Sequence, residues 1–309
     1  MKTQMKADLM LLAVTFFWGI SYLLVVYAFK ELEPLNLNAI RFIIAFLAAF
    51  VLAGRKLLPV NKVTLKYAAL LGGILMVVYL GATFGVKYTS ISNAGFLGAL
   101  AVVMTPILGF FFKGQRPGGK LLISVVLALA GIALLTLNEK LEPALGDILC
   151  IIGAVSYAVH LLATETAVKK EGVNPFQLGV YQLGFCGVYQ LFFSFLAETP
   201  RLPSSGKVWL SILILAIFCT GVAFVAQTLA QQYTSASHAG VIFSLEPLIT
   251  ALFAFFIAGE ILSQRAYLGA ALLLSGVFVM ELDMKKIVGH YWKVFIKDWI
   301  QSKRNKEKL

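Results

Sequence analysis

Five ionisable side chains fall inside long apolar stretches of this sequence: Arg41, His160, Glu165, His238 and Glu246. An ionised group at the centre of a bilayer costs at least about 2.5–3.5 kcal/mol, so each needs a partner, a water path or a neutral state. Glu246 offers the sharpest chemistry. It stands near the middle of the apolar run 236–258, directly before Pro247. A carboxyl in such a place fits a proton-coupling group or a ligand for an amine. The competing reading is a capped carboxyl bonded to backbone freed at the proline. His160 shares one helical face with Gly153, Ser156, Tyr157 and Thr164, residues three or four apart. A lone histidine on such a stripe is more often a hydrogen-bonded structural residue than a proton relay; His160 stands beside Glu246 as a proton-coupling candidate on those terms. Glu165 lies about 140° round the helix from His160, so the two are not a face pair.

Similar stripes occur elsewhere. Trp18, Ser21, Tyr22 and Val25 share a face, as do Met76, Tyr79, Thr83 and Lys87, and Thr220, Phe224, Gln227 and Gln231. Rings and amides in this pattern can bind a small organic ligand by stacking and hydrogen bonding. Interhelical hydrogen bonding is the bland alternative. Convergence in four segments favours a cavity, with Trp18, Ser21, Tyr22, Tyr79, Thr83, Ser156, Tyr157, His160, Phe224, Gln227 and Glu246 as its candidate lining. Arg41 lies about one turn inside the outer end of its run and is expected to snorkel outward, with a gate or anion contact as the alternative. Asn93 and His238 each follow a Ser-rich connection, where neighbouring Ser or Thr caps a helix.

The elements that must hold these groups are membrane helices. Hydrophobic residues make up 60% of the 309 residues and charged ones 13%, with a mean hydropathy of +0.86. A soluble domain carries about 25% charged residues. A spanning helix needs about 20 mainly apolar residues. That measure gives ten runs, near 8–29, 37–54, 67–87, 91–112, 119–137, 147–167, 175–197, 208–231, 236–258 and 264–283. The first is too long for a signal-peptide core and lacks a small-residue cleavage site, so it is expected to be a retained helix. Most prolines fall between runs. Pro106 and Pro247 fall within the fourth and ninth and predict helix breaks, tolerated where backbone lines protein or a cavity rather than lipid.

With the N-terminus inside, 19 of the 26 Lys and Arg residues fall on inner segments, which predicts both termini in the cytoplasm and an even number of spans. The stretch 284–309 is basic and amphipathic, and reads as a cytoplasmic surface tail held by anionic lipid.

The chain repeats itself. Tyr88-Thr-Ser-Ile-Ser-Asn-Ala-Gly95 recurs as Tyr233-Thr-Ser-Ala-Ser-His-Ala-Gly240. The same offset of 145 pairs Gly114 with Gly259 and Gly131 with Gly276. Trp18-Gly-Ile-Ser-Tyr22 matches Gly153-Ala-Val-Ser-Tyr157 more loosely, at an offset of 135. Two copies of a five-helix unit, 1–140 and 141–283, are therefore expected. An odd helix count makes the second copy enter from the opposite side, the inverted-repeat design of many secondary transporters. Pro106 and Pro247 sit in corresponding helices, one turn apart at that offset.

Trp18-Gly-Ile-Ser21, Ala39-Ile-Arg-Phe42, the doubled Tyr-Thr-Ser motif, Leu245-Glu-Pro-Leu248 and Gly259-Glu260 together resemble the EamA-type transporters of the drug/metabolite transporter superfamily. The resemblance covers residues 8 to about 283. It implies an all-α membrane protein of ten helices in two inverted repeats, a central cavity, and export of metabolites such as amino acids or of toxic organic compounds. One departure stands out: Gly259-Glu260 is matched in the first copy by Gly114-Gln115.

Other classes find little support. The net charge of +11 sits between apolar runs and in the tail, not on a nucleic-acid-binding face. Cys150, Cys186 and Cys219 show neither disulfide nor metal spacing, and read as small buried hydrophobes. No phosphate loop, paired intramembrane aspartates, His-Glu-x-x-His or Gly-x-Ser-x-Gly occurs, so neither an ATP-driven pump nor a membrane enzyme is expected, and no cofactor or metal. A structural or receptor protein would not predict the internal symmetry. The expected partners are a small-molecule substrate, the lipid bilayer of the plasma membrane and, as candidate coupling ion, the proton.

Overall fold

The computed structural model describes residues 2–89, 91–136, 145–258 and 264–281. Gly259-Glu260 and the tail 284–309 lie outside the described residues. Among those described there are helices and no strands. In a hydrocarbon solvent this follows from the need to satisfy every backbone N–H and C=O within one segment. The helices are α1 (Lys2–Ala28), α2 (Pro34–Ala53), α3 (Lys62–Tyr88), α4 (Ile91–Ala99), α5 (Ala101–Lys113), α6 (Gly119–Thr136), α7 (Leu145–Ala167), α8 (Pro175–Ala197), α9 (Gly206–Ala216), α10 (Ala223–Ala230), α11 (Ala236–Phe243), α12 (Glu246–Ala258) and α13 (Gln264–Glu281). A π-wound stretch, Ile217–Val222, joins α9 to α10 without a turn. Among the described residues six helical segments are long and apolar enough to cross a membrane: Thr3–Ala28, Pro34–Leu57, Lys62–Tyr88, Leu145–Ala167, Pro175–Ala197 and Gly206–Ala230.

The fourth and ninth runs are not single helices. The fourth breaks at Leu100, where the Val103 amide donates three residues back to the Leu100 carbonyl, and the ninth breaks at Ser244–Leu245. Leu100 and Leu245 are equivalent at the 145 offset, so the breaks match even though the prolines do not. Pro106 sits inside α5 instead of at a break, which corrects that expectation. Pro247 is the second residue of α12, where its N–H would have no intrahelical partner to lose.

Two pairs of equivalent helices, α2 with α8 and α6 with α13, pack against each other and run antiparallel. In the α2–α8 pair, the Glu198 carboxylate at the end of α8 accepts from the amides of Leu35 (2.9 Å) and Asn36 (2.8 Å) at the start of α2. Near the other end the Tyr181 hydroxyl donates to the Leu57 carbonyl (3.1 Å). In the α6–α13 pair, Gly131 lies against Gly269 and Leu273, while Gly276 lies against Ser124 and Ala128. The two glycines matched by sequence thus serve reciprocal sides of one interface. α3 and α7 also run antiparallel and cross at Gly81 and Gly153, whose backbones touch. Small residues allow that approach, and dispersion then replaces the hydrophobic drive that lipid removes.

Polar ties close both ends. Where α1 begins, Glu165 accepts from Lys113 (3.2 Å), Lys169 (2.9 Å) and the Ala236 amide (3.3 Å), and His238 meets Asp8 at 3.3 Å. Where α1 finishes, Thr89 donates to Asp147 (2.6 Å) and Lys87 pairs with Glu33. At that end Glu31 accepts from Ser204 and Ser205. Burial alone would raise its pKa, but these donors, with Arg201 nearby, outweigh it and hold Glu31 below the usual carboxylate range. Asp8 and Asp147 play similar parts: each lies early in the first helix of its copy, Asp8 reaching His238 in the first turn of α11 and Asp147 reaching Thr89 just before α4.

Gly81→Leu should lower stability to unfolding by at least about 1–3 kcal/mol, because its side chain would drive into the α7 backbone. Gly73→Ala, whose Cβ would meet only Tyr189 at 3.8 Å, should not. Unfolding of the purified protein in detergent measures both, and equal stability of the two variants would mean that α3 and α7 do not meet at Gly81.

Candidate functional site

A cavity of about 130 Å³ lies between α1, α2, α3, α4, α7, α10 and the first turn of α12. It occupies the half of the bundle towards the end where α1 finishes: its lining runs from Trp18 to Val25 in α1, Val78 to Val86 in α3 and Cys150 to Tyr157 in α7. Its walls are aromatic. Trp18 packs on Tyr157 (ring centroids 5.7 Å apart), Phe224 (5.4 Å) and Phe243 (4.9 Å), and Tyr79 meets Phe224 at 6.1 Å. The two copies contribute equivalent positions. Tyr22 and Tyr157 correspond at the 135 offset, Tyr79 and Phe224 at 145, and all four line the space.

One cation lines it. Arg41 is only 2% exposed and does not snorkel, contrary to the expectation from its place near a helix end. Its Nε and Nη2 both donate to the Thr220 hydroxyl oxygen, at 3.0 and 2.8 Å. Its guanidinium lies 4.9 Å from the Tyr79 ring centroid and 5.7 Å from that of Phe42. Both contacts suit a delocalised cation held away from water. The π-wound stretch makes this possible. The wider turn lets Thr220 donate to the Leu215 carbonyl five residues back (2.8 Å) while accepting from Arg41. In the same stretch the Cys219 carbonyl accepts from the Trp18 indole N–H, at 3.0 Å. Such π segments occur often at functional sites.

Glu246 is the first residue of α12, not a mid-helix residue. Free amides at a helix start favour negative charge. The Tyr22 side chain stands against its carboxyl, and the residue is half-buried on the cavity wall.

Of the residues expected to line a cavity, Trp18, Ser21, Tyr22, Tyr79, Thr83, Tyr157, Phe224 and Glu246 do. Ser156, His160 and Gln227 do not. His160 is buried behind Tyr157, its Nε2 3.0 Å from the Gln182 side-chain oxygen, and Gln182 in turn donates to Thr228 (3.0 Å). Gln227 accepts from the Tyr157 hydroxyl (3.2 Å) and donates to Gln231 (3.2 Å), so it orients the tyrosine from outside the space. Helical spacing alone does not separate lining from support for these three. The His238 amide is capped by the Ser235 hydroxyl at 3.2 Å, as expected. Arg41, Val86, Ala94, Gly98, Cys150 and Ala154 also line the cavity. The apolar ones carry no polar signal; the run of small residues Gly153-Ala154 was the available hint.

The EamA-like transporter family matches this chain twice, over residues 5–137 and 144–282. The chain belongs to that family. It is similar to an "uncharacterized transporter" of Archaeoglobus fulgidus, 30% identical over 281 residues, covering 90% of this chain and 87% of the relative. It is similar to the uncharacterized inner membrane transporter YedA of Escherichia coli, 25% identical over 88% of this chain and 89% of that one. YoaV of Bacillus subtilis, also named as a transporter, is 21% identical over 89% and 96%. A solved crystal structure shares the fold, with a TM-score of 0.75 at 19% identity over 91% of this chain and 98% of that one. Together with its apolar helices, this makes the protein a multi-pass membrane transporter of EamA type.

In this EamA-like transporter the buried guanidinium depends on one hydroxyl. Thr220→Val should cost about 1.5–3 kcal/mol of stability, the usual range for hydrogen bonds to a charged group, while Thr220→Ser keeps the acceptor and most of the stability. Reversible unfolding of both variants provides the comparison, and a valine variant as stable as the serine variant would show that Thr220 does not hold Arg41.

Proposed function

We propose that the protein is a secondary transporter of small metabolites in the plasma membrane and that the aromatic cavity is its substrate site. In this reading ten spans form two inverted five-helix repeats, both termini are cytoplasmic, and the cavity opens alternately to either side. The observation that carries it is the lining itself. Tyr22 with Tyr157, and Tyr79 with Phe224, are repeat-equivalent positions that meet around one space.

The antiparallel pairing of α2 with α8 and of α6 with α13 supports the inversion, since a twofold axis in the membrane plane reverses every helix. The reciprocal contacts Asp8–His238 and Thr89–Asp147 support it at the two ends. Breaks at Leu100 and Ser244–Leu245 put helix ends beside the cavity, as secondary transporters do with discontinuous helices.

The size of the space favours the smaller of the two substrate classes that the family resemblance left open. Sites for drug-sized ligands run to roughly 300–1,000 Å³. A cavity of about 130 Å³ suits a small metabolite. Of the two proton-coupling candidates, Glu246 faces the substrate space and His160 does not. Coupling is therefore assigned to Glu246.

Reconstituted in proteoliposomes, the protein should catalyse flux of a small metabolite that responds to an imposed pH gradient. Glu246→Gln should retain the fold and exchange but lose the response to the gradient. A Gln variant with unchanged pH dependence would remove Glu246 from coupling, and absence of flux for any of a broad set of metabolites would count against transport through this cavity.

A further inference from the structure

Val25, Arg41, Ala82, Thr83 and Val86 line the cavity. Their counterparts in the second copy are His160 at the 135 offset and Gln227, Thr228 and Gln231 at the 145 offset. The counterpart of Arg41 is Gln182, at an offset of 141 that aligns Pro34 with Pro175, the first residues of α2 and α8. All five counterparts are fully buried. They are tied together. His160 Nε2 lies 3.0 Å from the Gln182 side-chain oxygen, and Gln182 donates to Thr228 (3.0 Å). Gln227 donates to Gln231 (3.2 Å), and Gln231 donates to the Leu161 carbonyl (2.9 Å). Tyr157 joins the set to the cavity: its hydroxyl donates to Gln227, and its ring stacks on His160 with centroids 6.1 Å apart. Thr83 and Thr228 make the same bond, each accepting at 3.0 Å from an amide on the second helix of its own copy, Asn38 and Gln182.

Such a set is poor structural glue. Interhelical hydrogen bonds in a membrane return little net stability, because the same groups find partners before the helices pack. Nor is the set fully paired. The His160 Nδ1 and, one turn on, the Thr164 hydroxyl are buried without a hydrogen-bond partner, a state that buried polar groups rarely keep. In the first copy the same positions are apolar at Val25, Ala82 and Val86 and charged only at Arg41. We propose that His160, Gln182, Gln227, Thr228 and Gln231 form a second binding surface, covered in this structure, for a neutral hydrogen-bonding ligand group such as an amide or a hydroxyl. Amide and hydroxyl side chains both donate and accept, and none of the five is a carboxylate, an ammonium or a guanidinium. The surface is covered at the end where α1 begins, by the contacts of Glu165 with Lys113, Lys169 and the Ala236 amide and by that of Asp8 with His238. Parting of those contacts would expose it. The two halves of the path then differ in chemistry: a cation among apolar walls on one side, neutral donors and acceptors on the other.

This inference deepens the transporter reading and rests on its inverted repeats. The test uses the full chain with Cys150, Cys186 and Cys219 replaced by alanine, in sealed, oriented vesicles. Gln227→Cys, Thr228→Cys and Gln231→Cys are each challenged with a membrane-impermeant methanethiosulfonate, cationic or anionic, added to one face at a time. All three should react from the face where α1 begins and not from the other. Gln190→Cys, buried where α8 meets α3, should react from neither. Thr228→Cys changes size least and keeps the test decisive if a glutamine variant does not fold. Gln227→Cys should favour the anionic or the cationic reagent no more than a free thiol in solution does. Three unreactive cysteines, reaction only from the face where α1 finishes, or equal reaction of Gln190→Cys overturns the second surface. A strong preference for one reagent charge overturns its neutral character. Flux measurements separate the two claims. The expected labelling without flux of any metabolite sinks transport and leaves the surface standing. Flux with all three cysteines unreactive does the reverse.

Discussion

A backbone in hydrocarbon has no water to bond with, so every N–H and C=O must find its partner inside the protein. That constraint explains both the long helices and the few places where they depart from regularity. The breaks at Leu100 and Ser244–Leu245 and the π-wound turn at Ile217–Val222 all occur in helices that border the cavity. Each departure is used. The π turn carries the Cys219 carbonyl that accepts from the Trp18 indole and the Thr220 hydroxyl that accepts from Arg41. The break before Glu246 puts a carboxylate at a helix start instead of along a helix wall.

Packing and chemistry are divided between the interfaces. The α6–α13 and α3–α7 contacts are built on glycines and small side chains, and fix the distance between backbones. The cavity is built on rings, with Trp18 touching Tyr157, Phe224 and Phe243, contributed by three other helices. Polar contacts concentrate at the two ends, where Glu165 gathers Lys113, Lys169 and the start of α11 on one side and Glu31 gathers Ser204 and Ser205 on the other.

Much of this was legible in the sequence. Stripes of Trp18, Ser21, Tyr22, of Tyr79, Thr83 and of Phe224 stood out because polar and aromatic groups at helical spacing are costly towards lipid. The octamer repeat at Tyr88 and Tyr233 marked the two copies, and Gly131 and Gly276 proved to share an interface. What escaped was long-range. Arg41 looked like a snorkelling residue because its acceptor, Thr220, lies 179 residues away. Proline pointed to Pro106, whereas the break falls at Leu100, a position with no local signature. Ser156, His160 and Gln227 lie on the right helices but behind the lining, a difference that tertiary packing sets and spacing does not.

The central claim is that one cavity, shared by two antiparallel copies, is reached from either side of the membrane in turn. Ser21 lines that cavity and is nearly isosteric with cysteine. Ser21→Cys, in a chain whose Cys150, Cys186 and Cys219 are alanine, can be challenged in sealed, oriented vesicles with a membrane-impermeant thiol reagent added to one face at a time. The account predicts modification from both faces. Modification from a single face, unchanged across substrate and pH conditions, would contradict it.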